Sequence, residues 1–415
     1  MRVSINEEKP PTLSHAQRKV AFFGYGAAVF FFWASLYLYV PTLPLYIQAR
    51  TNTLAYIGTV LSMYGLWQAI LRLPLGVAAD LLGKRKPFIL SCFAFSAVGS
   101  LWMSIAGDVQ GLILGRGITG LAAAGWVPLT VVFSSLFLPQ EAVRASAILS
   151  FINAISRMSA TSVTWLINDW SGGYTAAFYA AAGLALLGLI IVIPLQEKFD
   201  SAVQKGKNSP TKGKDLLGVM IRPIVIMPSL LGGLNQYAIF ASSFGFFPIL
   251  AKQFGANNFI QSAFSSMCLL MIMLGALVTS RLVQRMNATR LTFISFALLG
   301  MGLLGGALAK GLEVLMIAQL LIGLGSGIGY SVLMGLSIQR VDENERNTAM
   351  GVFQSIYGFG MFGGPWVSGI LADMMGIKPM LAVTSLAIVC LGIGGTFILQ
   401  RVFAQQREEL LSALD

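Results

Sequence analysis

Long apolar stretches recur along the chain, each closed by a short polar interval. In order they cover roughly residues 20–40, 54–78, 87–106, 109–137, 144–167 and 174–195, and then 223–250, 258–280, 290–309, 312–338, 346–371 and 378–402. A helix needs about 20 apolar residues to cross the hydrocarbon core of a bilayer, so the pattern predicts twelve membrane-spanning helices. Residues 196–222 interrupt it. There Lys198, Lys205, Lys207, Lys212, Lys214 and Arg222 are mixed with Gly206, Asn208, Ser209, Pro210 and Gly213, the composition of a flexible linker. The expected organisation is a polar tail (1–19), a six-helix bundle (20–195), the linker (196–222), a second six-helix bundle (223–402) and a short tail (403–415). Within that tail, 401–411 reads as amphipathic.

The two bundles look like a repeat. Pro139-Gln-Glu141-Ala-Val-Arg144 entering the fifth helix echoes Asp342-Glu-Asn-Glu345-Arg346 entering the eleventh. Gly117-Ile-Thr-Gly120 in the fourth echoes Leu320-Leu-Ile-Gly323 in the tenth. The fold class expected is therefore an all-α polytopic membrane protein of two pseudo-symmetric six-helix bundles.

Composition agrees. Of 415 residues 56% are hydrophobic and 11% charged, with a mean hydropathy of +0.74, against about 25% charged in soluble domains. The net charge of +11 does not point to nucleic acid, because of where the cations lie. Only Arg50, Lys252, Lys310 and Lys378 fall on one side of the bundle, and Arg72, Arg116 and Arg157 fall inside spans. The remaining 21 of 28 Lys and Arg share the other side with both termini. That asymmetry predicts cytoplasmic termini in a plasma (inner) membrane. Cys92, Cys268 and Cys390 are isolated in separate spans and read as small core residues. The single histidine, His15, sits in the polar tail, so no metal site and no cofactor is expected, and the protein does not read as an enzyme. Gly323-Leu-Gly325-Ser-Gly327 is no nucleotide loop, since it lies inside an apolar helix with no preceding strand.

One polar turn is more specific: Gly76-Val-Ala-Ala-Asp80-Leu-Leu-Gly83-Lys84-Arg85-Lys86. Two glycines permit close approach and a sharp turn, and Arg72, Gly76 and Asp80 share one helix face. The pattern resembles the signature loop between helices 2 and 3 of the major facilitator superfamily (MFS). Gly76, Asp80, Gly83, Lys84 and Arg85 match it, and Leu81 departs from the usual cation. The resemblance covers residues 20–402. It implies alternating access between the halves, with Asp80 acting as part of a gate near the start of helix 11, around 344–350. The second copy of the loop, Ser280-Arg281-Leu-Val-Gln-Arg285, lacks the acid. Gly115-Arg116-Gly117-Ile-Thr-Gly120 resembles the helix-4 motif of the same family, whose arginine is implicated in coupling and in contacts with helix 1. The helix-5 motif of drug antiporters is absent, and Gly358–Gly369 in helix 11 carries a similar run of small residues, sufficient for close packing.

An arginine inside a span costs about 2.5–3.5 kcal/mol, so three of them call for an explanation. Arg72 lies in the inner third of helix 2, either an interface anchor or a cavity residue. Arg157 lies near mid-depth of helix 5, on a stripe with Asn153 and Thr161, and reads either as a substrate contact or as one member of a structural pair. Further cavity candidates are Tyr37 on the aromatic-rich helix 1, Asn235 and Gln236 on helix 7, Tyr330 on helix 10, and Gln354 and Tyr357 on helix 11. No Asp or Glu lies mid-span. Any coupling to protons would then use Asp80, an outer-end acid or the substrate. The function expected is secondary active transport of a small organic solute by a monomer among membrane lipids, with export as the first direction because helices 1, 7 and 11 are rich in aromatics. The alternatives are uptake or exchange of an organic anion, and a non-transporting receptor or lipid-translocating protein on the same fold.

Overall fold

The computed structural model describes residues 15–137, 141–195, 218–283, 285–339, 341–342 and 345–412. Residues 1–14 of the expected tail (1–19) and residues 196–217 of the expected linker (196–222) lie outside them, as does the side chain of Asp80. Twelve long helical spans, here α1 to α12, run through the described residues. They are α1 (His15–Tyr37), α2 (Leu54–Leu82), α3 (Lys86–Ile105), α4 (Val109–Ala123, continued by Trp126–Ser134), α5 (Ala142–Ser171) and α6 (Thr175–Val192). The second half gives α7 (Pro223–Ala241, a π-helical turn Ser242–Phe246, then Phe247–Gln253), α8 (Asn258–Leu282), α9 (Ala288–Leu308), α10 (Leu312–Gln339), α11 (Arg346–Met375) and α12 (Ile377–Ser412).

Several ends differ from expectation. α1 begins earlier, at His15, and α12 absorbs the amphipathic stretch to Ser412. α2 runs to Leu82, so Asp80 sits in its last turn rather than at its end. Three spans break where a proline removes the hydrogen bond to the carbonyl four residues back. α1 stops at Tyr37, four before Pro41, and restarts as a short helix, Leu43–Gln48. α4 breaks at Ala124, four before Pro128, and the π turn of α7 contains Phe244, four before Pro248.

Ten of the twelve spans are long and apolar enough by themselves to cross a membrane; α5 and α11 fall short. Both are 30 residues long and pack across the interface between halves, α5 against α8 and α11 against α2. Part of their polar content is buried, Ser156, Thr161, Thr164 and Asn168 on α5 and Ser368 on α11. Cys92 and Cys268 are buried as expected, whereas Cys390 is exposed on the bundle surface.

The ends of the bundle are chemically distinct. At the end carrying Lys84–Lys86, Arg18 donates to the Leu136 carbonyl at 2.8 Å and pairs with Glu141 at 3.6 Å. Arg222 pairs with Glu345 at 2.6 Å. Arg18 and Arg222 are 204 residues apart, as are Glu141 and Glu345, so each half repeats the same clip between its first and fifth helix. Lys86 at this basic end donates to the carbonyls of Ile193 and Leu195. At the far end Arg50 donates to the Ala106 carbonyl at 2.9 Å and to the Tyr46 hydroxyl at 2.7 Å.

Candidate functional site

Several of the expected cavity residues gather where α1, α2, α4, α5 and α11 meet, and there the three span arginines contact tyrosines. Arg157 on α5 is half-buried. Its Nη2 donates to the Tyr37 hydroxyl at 2.6 Å, and its guanidinium lies 4.1 Å from the Tyr37 ring centroid and 5.5 Å from that of Trp33. Arg116 on α4 is buried, with Nη1 donating to the Tyr39 hydroxyl at 3.1 Å and the cation 4.2 Å from the Tyr64 ring. Arg72 on α2 donates from Nη1 to Oε1 of Gln354 on α11 at 2.6 Å, a bond between halves, and from Nη2 to Gln68. Gln354 in turn donates to the Tyr330 hydroxyl at 3.4 Å, and Tyr357 lies 5.7 Å from the Arg72 cation.

Every partner named here is neutral. Among the described residues none of the three arginines pairs with a carboxylate, and each keeps a buried Nε with no hydrogen-bond partner. Phenol hydroxyls and amide oxygens satisfy part of the donor fork, and aromatic faces offset part of the charge. Among the described residues no carboxylate offsets the positive charge itself.

A small cavity is lined by Tyr37, Leu43, Tyr64, Arg116, Phe240 and Phe244, with Leu36, Val40 and Leu61. Tyr37 and Phe244 of that lining meet edge to face at 6.2 Å across the halves. The short segment Leu43–Gln48 also packs on Phe247–Gln253 there. These are the pieces beyond the proline breaks of α1 and α7, so the same breaks that interrupt the helices build the far-end cap.

Other expected residues fall elsewhere. Asn153 is half-buried on α5. Thr161 is buried and bonds Ser266 of α8 at 2.8 Å, which places it in the seam between halves. Asn235 is fully buried against α10, accepting from Ser326 at 2.9 Å and from Gln236 at 3.3 Å. Gly76 is half-buried and Gly83 takes the left-handed φ of +62° that ends α2. Lys84 is exposed and Arg85 buried.

Sequence reasoning missed a second polar stripe on α5. Ser156 donates to the Phe30 carbonyl, Thr164 to that of Leu38, and Asn168 to Thr42 Oγ1 at 3.1 Å. Each pair is 126 residues apart, so α1 and α5 run parallel in one register. Their spacing of four and eight was a readable signal. Also missed was the repeat partner of the Arg116 contact: in the second half Gln319 accepts from Ser243 at 2.8 Å. Ser243 stands 204 residues after Tyr39 and Gln319 203 after Arg116. The charged contact exists in one half, its neutral counterpart in the other.

Twelve spans in two related halves, with a small cavity lined from both of them, define a polytopic membrane protein of the transporter type. The family model described as Major Facilitator Superfamily matches residues 25–365 and 231–410, and the chain belongs to that family. It is 22% identical over 363 residues to an uncharacterised MFS-type transporter of Methanocaldococcus jannaschii, covering 85% of this chain and 91% of that one. It is 28% identical over 179 residues to the inner membrane transport protein YajR of Escherichia coli, covering 43% and 39%. Among solved structures it resembles the nucleoside transporter NupG (TM-score 0.72, 19% identity, 92% and 99% covered). It also resembles a bacterial homologue of the human lysosomal transporter Spinster in an inward-facing, unoccupied state (TM-score 0.77, 13% identity, 95% and 99% covered). These structural likenesses carry the fold.

Proposed function

We propose that the protein moves a small organic anion or zwitterion across the inner membrane by alternating access, with its basic end and both termini in the cytoplasm. The observation that carries this reading is Arg157. It is half-buried near mid-depth, held by one phenol and two aromatic faces, and among the described residues no carboxylate pairs with it. Its partner Tyr37 lines the small cavity together with Arg116, and cations so placed attract negative or strongly dipolar groups and repel other cations. The aromatic walls around it, Trp33, Tyr37 and Phe244, suit a solute with an apolar body. Export remains the direction we infer, on the aromatic load of helices 1, 7 and 11. The 21 cations of the basic end favour its cytoplasmic placement.

The test is ligand stabilisation of the purified protein. A ligand that binds the folded state raises the melting temperature, by about RT ln(1 + [L]/Kd) in free energy. Matched sets of aromatic carboxylates, neutral amides and lipophilic amines are the probes. Carboxylates or zwitterions should stabilise the wild type and lose that effect in Arg157→Gln. Stabilisation by the amines alone would overturn the reading.

A further inference from the structure

At the far end of the bundle the same kind of contact occurs twice. Asp373, in the last turn of α11, accepts from the backbone N–H of Leu54, the first residue of α2, at 3.0 Å. Asp169, in the last turns of α5, accepts from the side-chain amide of Asn258, the first residue of α8, at 2.5 Å. Both bonds cross between halves. Leu54 and Asn258 are 204 residues apart, and so are Asp169 and Asp373. Duplication has thus set one carboxylate of each half on a helix start of the other.

The chemistry suits a reversible contact. The first N–H groups of a helix lack intrahelical partners and form the positive end of its dipole, where a carboxylate is favoured. Both aspartates are exposed, so each bond is individually weak and easily exchanged for water. The three ion pairs among the described residues, Arg18–Glu141, Arg144–Glu141 and Arg222–Glu345, each stay within one half and hold nothing across. Beside the aspartate contacts, Trp165 meets Phe259 edge-on at 5.5 Å, and Thr161 and Ser162 share Ser266. The Asp contacts therefore rim the closed face, outside the Tyr37–Phe244 cap.

We propose that Asp169 and Asp373 form a duplicated latch of the far-end gate. Both bonds are made when that face closes and both break in the one motion that opens it. Each carboxylate then weights the same open–closed equilibrium, and removing both multiplies the single effects.

Spin labels report this without regard to orientation in the membrane. Gly107 and Gly311 sit in far-end loops, one per half and 204 residues apart, and a side chain at either meets open space. With exposed Cys390 replaced by alanine, Gly107→Cys and Gly311→Cys are labelled in lipid nanodiscs. The distance between them is then read by double electron–electron resonance. Each Asp→Ala change should raise the open-to-closed ratio about two- to five-fold, the change expected of an exposed charged contact, and the double variant by the product of the two. Asp→Glu at both sites should stay near wild type. Asp108 caps α4 at the same end within its own half, bonding the Gly111 N–H at 2.9 Å, so Asp108→Ala should leave the distances unchanged. An unchanged ratio in the double variant overturns the latch. So does a double effect no larger than a single one, an equal rise in Asp108→Ala, or a broad featureless distribution, which signals loosening.

Discussion

Three arginines lie inside apolar spans, and which residues they meet is not written in the pattern of apolar and polar positions. Depth along each span located them, because an arginine among twenty apolar residues stands out. That Tyr37 would meet Arg157 across 120 residues, or Gln354 meet Arg72 across 282, depends on how helices pack. The sequence pattern carries no term for that. Neutral partners leave each cation with little redundancy. Gln354→Leu removes the acceptor of Arg72 that lies across the interface and leaves a buried donor unmatched. Such a loss costs about 1–3 kcal/mol, so the purified variant should melt several degrees below wild type. A melting temperature equal to wild type would mean the bond is not maintained in the membrane.

At the scale of the helix, the order and number of spans followed from hydropathy, and their interruptions followed from prolines whose meaning was only partly used. Pro41, at the end of the first apolar stretch, and Pro128 and Pro248, inside theirs, carry the signal for the three breaks, which hydropathy alone passes over. The polar character of α5 and α11 has a packing reason. α11 lies close enough to α2 that glycines alternate at the seam: a side chain at Gly65 would sit 2.5 Å from the Phe362 backbone nitrogen, and one at Gly358 2.8 Å from the Ala69 Cα. Backbone cannot yield as a flexible side chain does. Gly65→Val should therefore force the helices apart at a cost of about 1–3 kcal/mol. It should reduce transport and thermal stability together, as read by uptake and melting on the same preparation. A fully active, fully stable variant would show that the helices do not pack this closely.

For the whole molecule, the repeat proved the most informative feature. Short sequence echoes predicted two related halves, and the structure places Arg18–Glu141 against Arg222–Glu345, and Tyr39–Arg116 against Ser243–Gln319. The halves have diverged in charge. All three span arginines belong to the first half, and the second presents amides and hydroxyls instead. A solute bound between them would put its anionic group against α2, α4 and α5 and its uncharged part against α7, α10 and α11. The proposed orientation, with the basic end in the cytoplasm, predicts that single cysteines at Ser201 and Asn257 are labelled from opposite sides of intact cells, Asn257 from outside. Labelling of both from outside would contradict the arrangement.

Arg157 offers the most direct test of the central claim, that an uncompensated guanidinium selects what enters the cavity. Wild type, Arg157→Lys and Arg157→Gln are reconstituted into proteoliposomes, and uptake of the best-binding organic anion is measured alongside that of a lipophilic cation of equal size. Lysine keeps the charge but loses the planar fork, so it should retain part of the anion transport. Glutamine should retain very little and should relax the bias against the cation. Normal anion transport by Arg157→Gln, or a wild type that prefers the cation, would contradict the account.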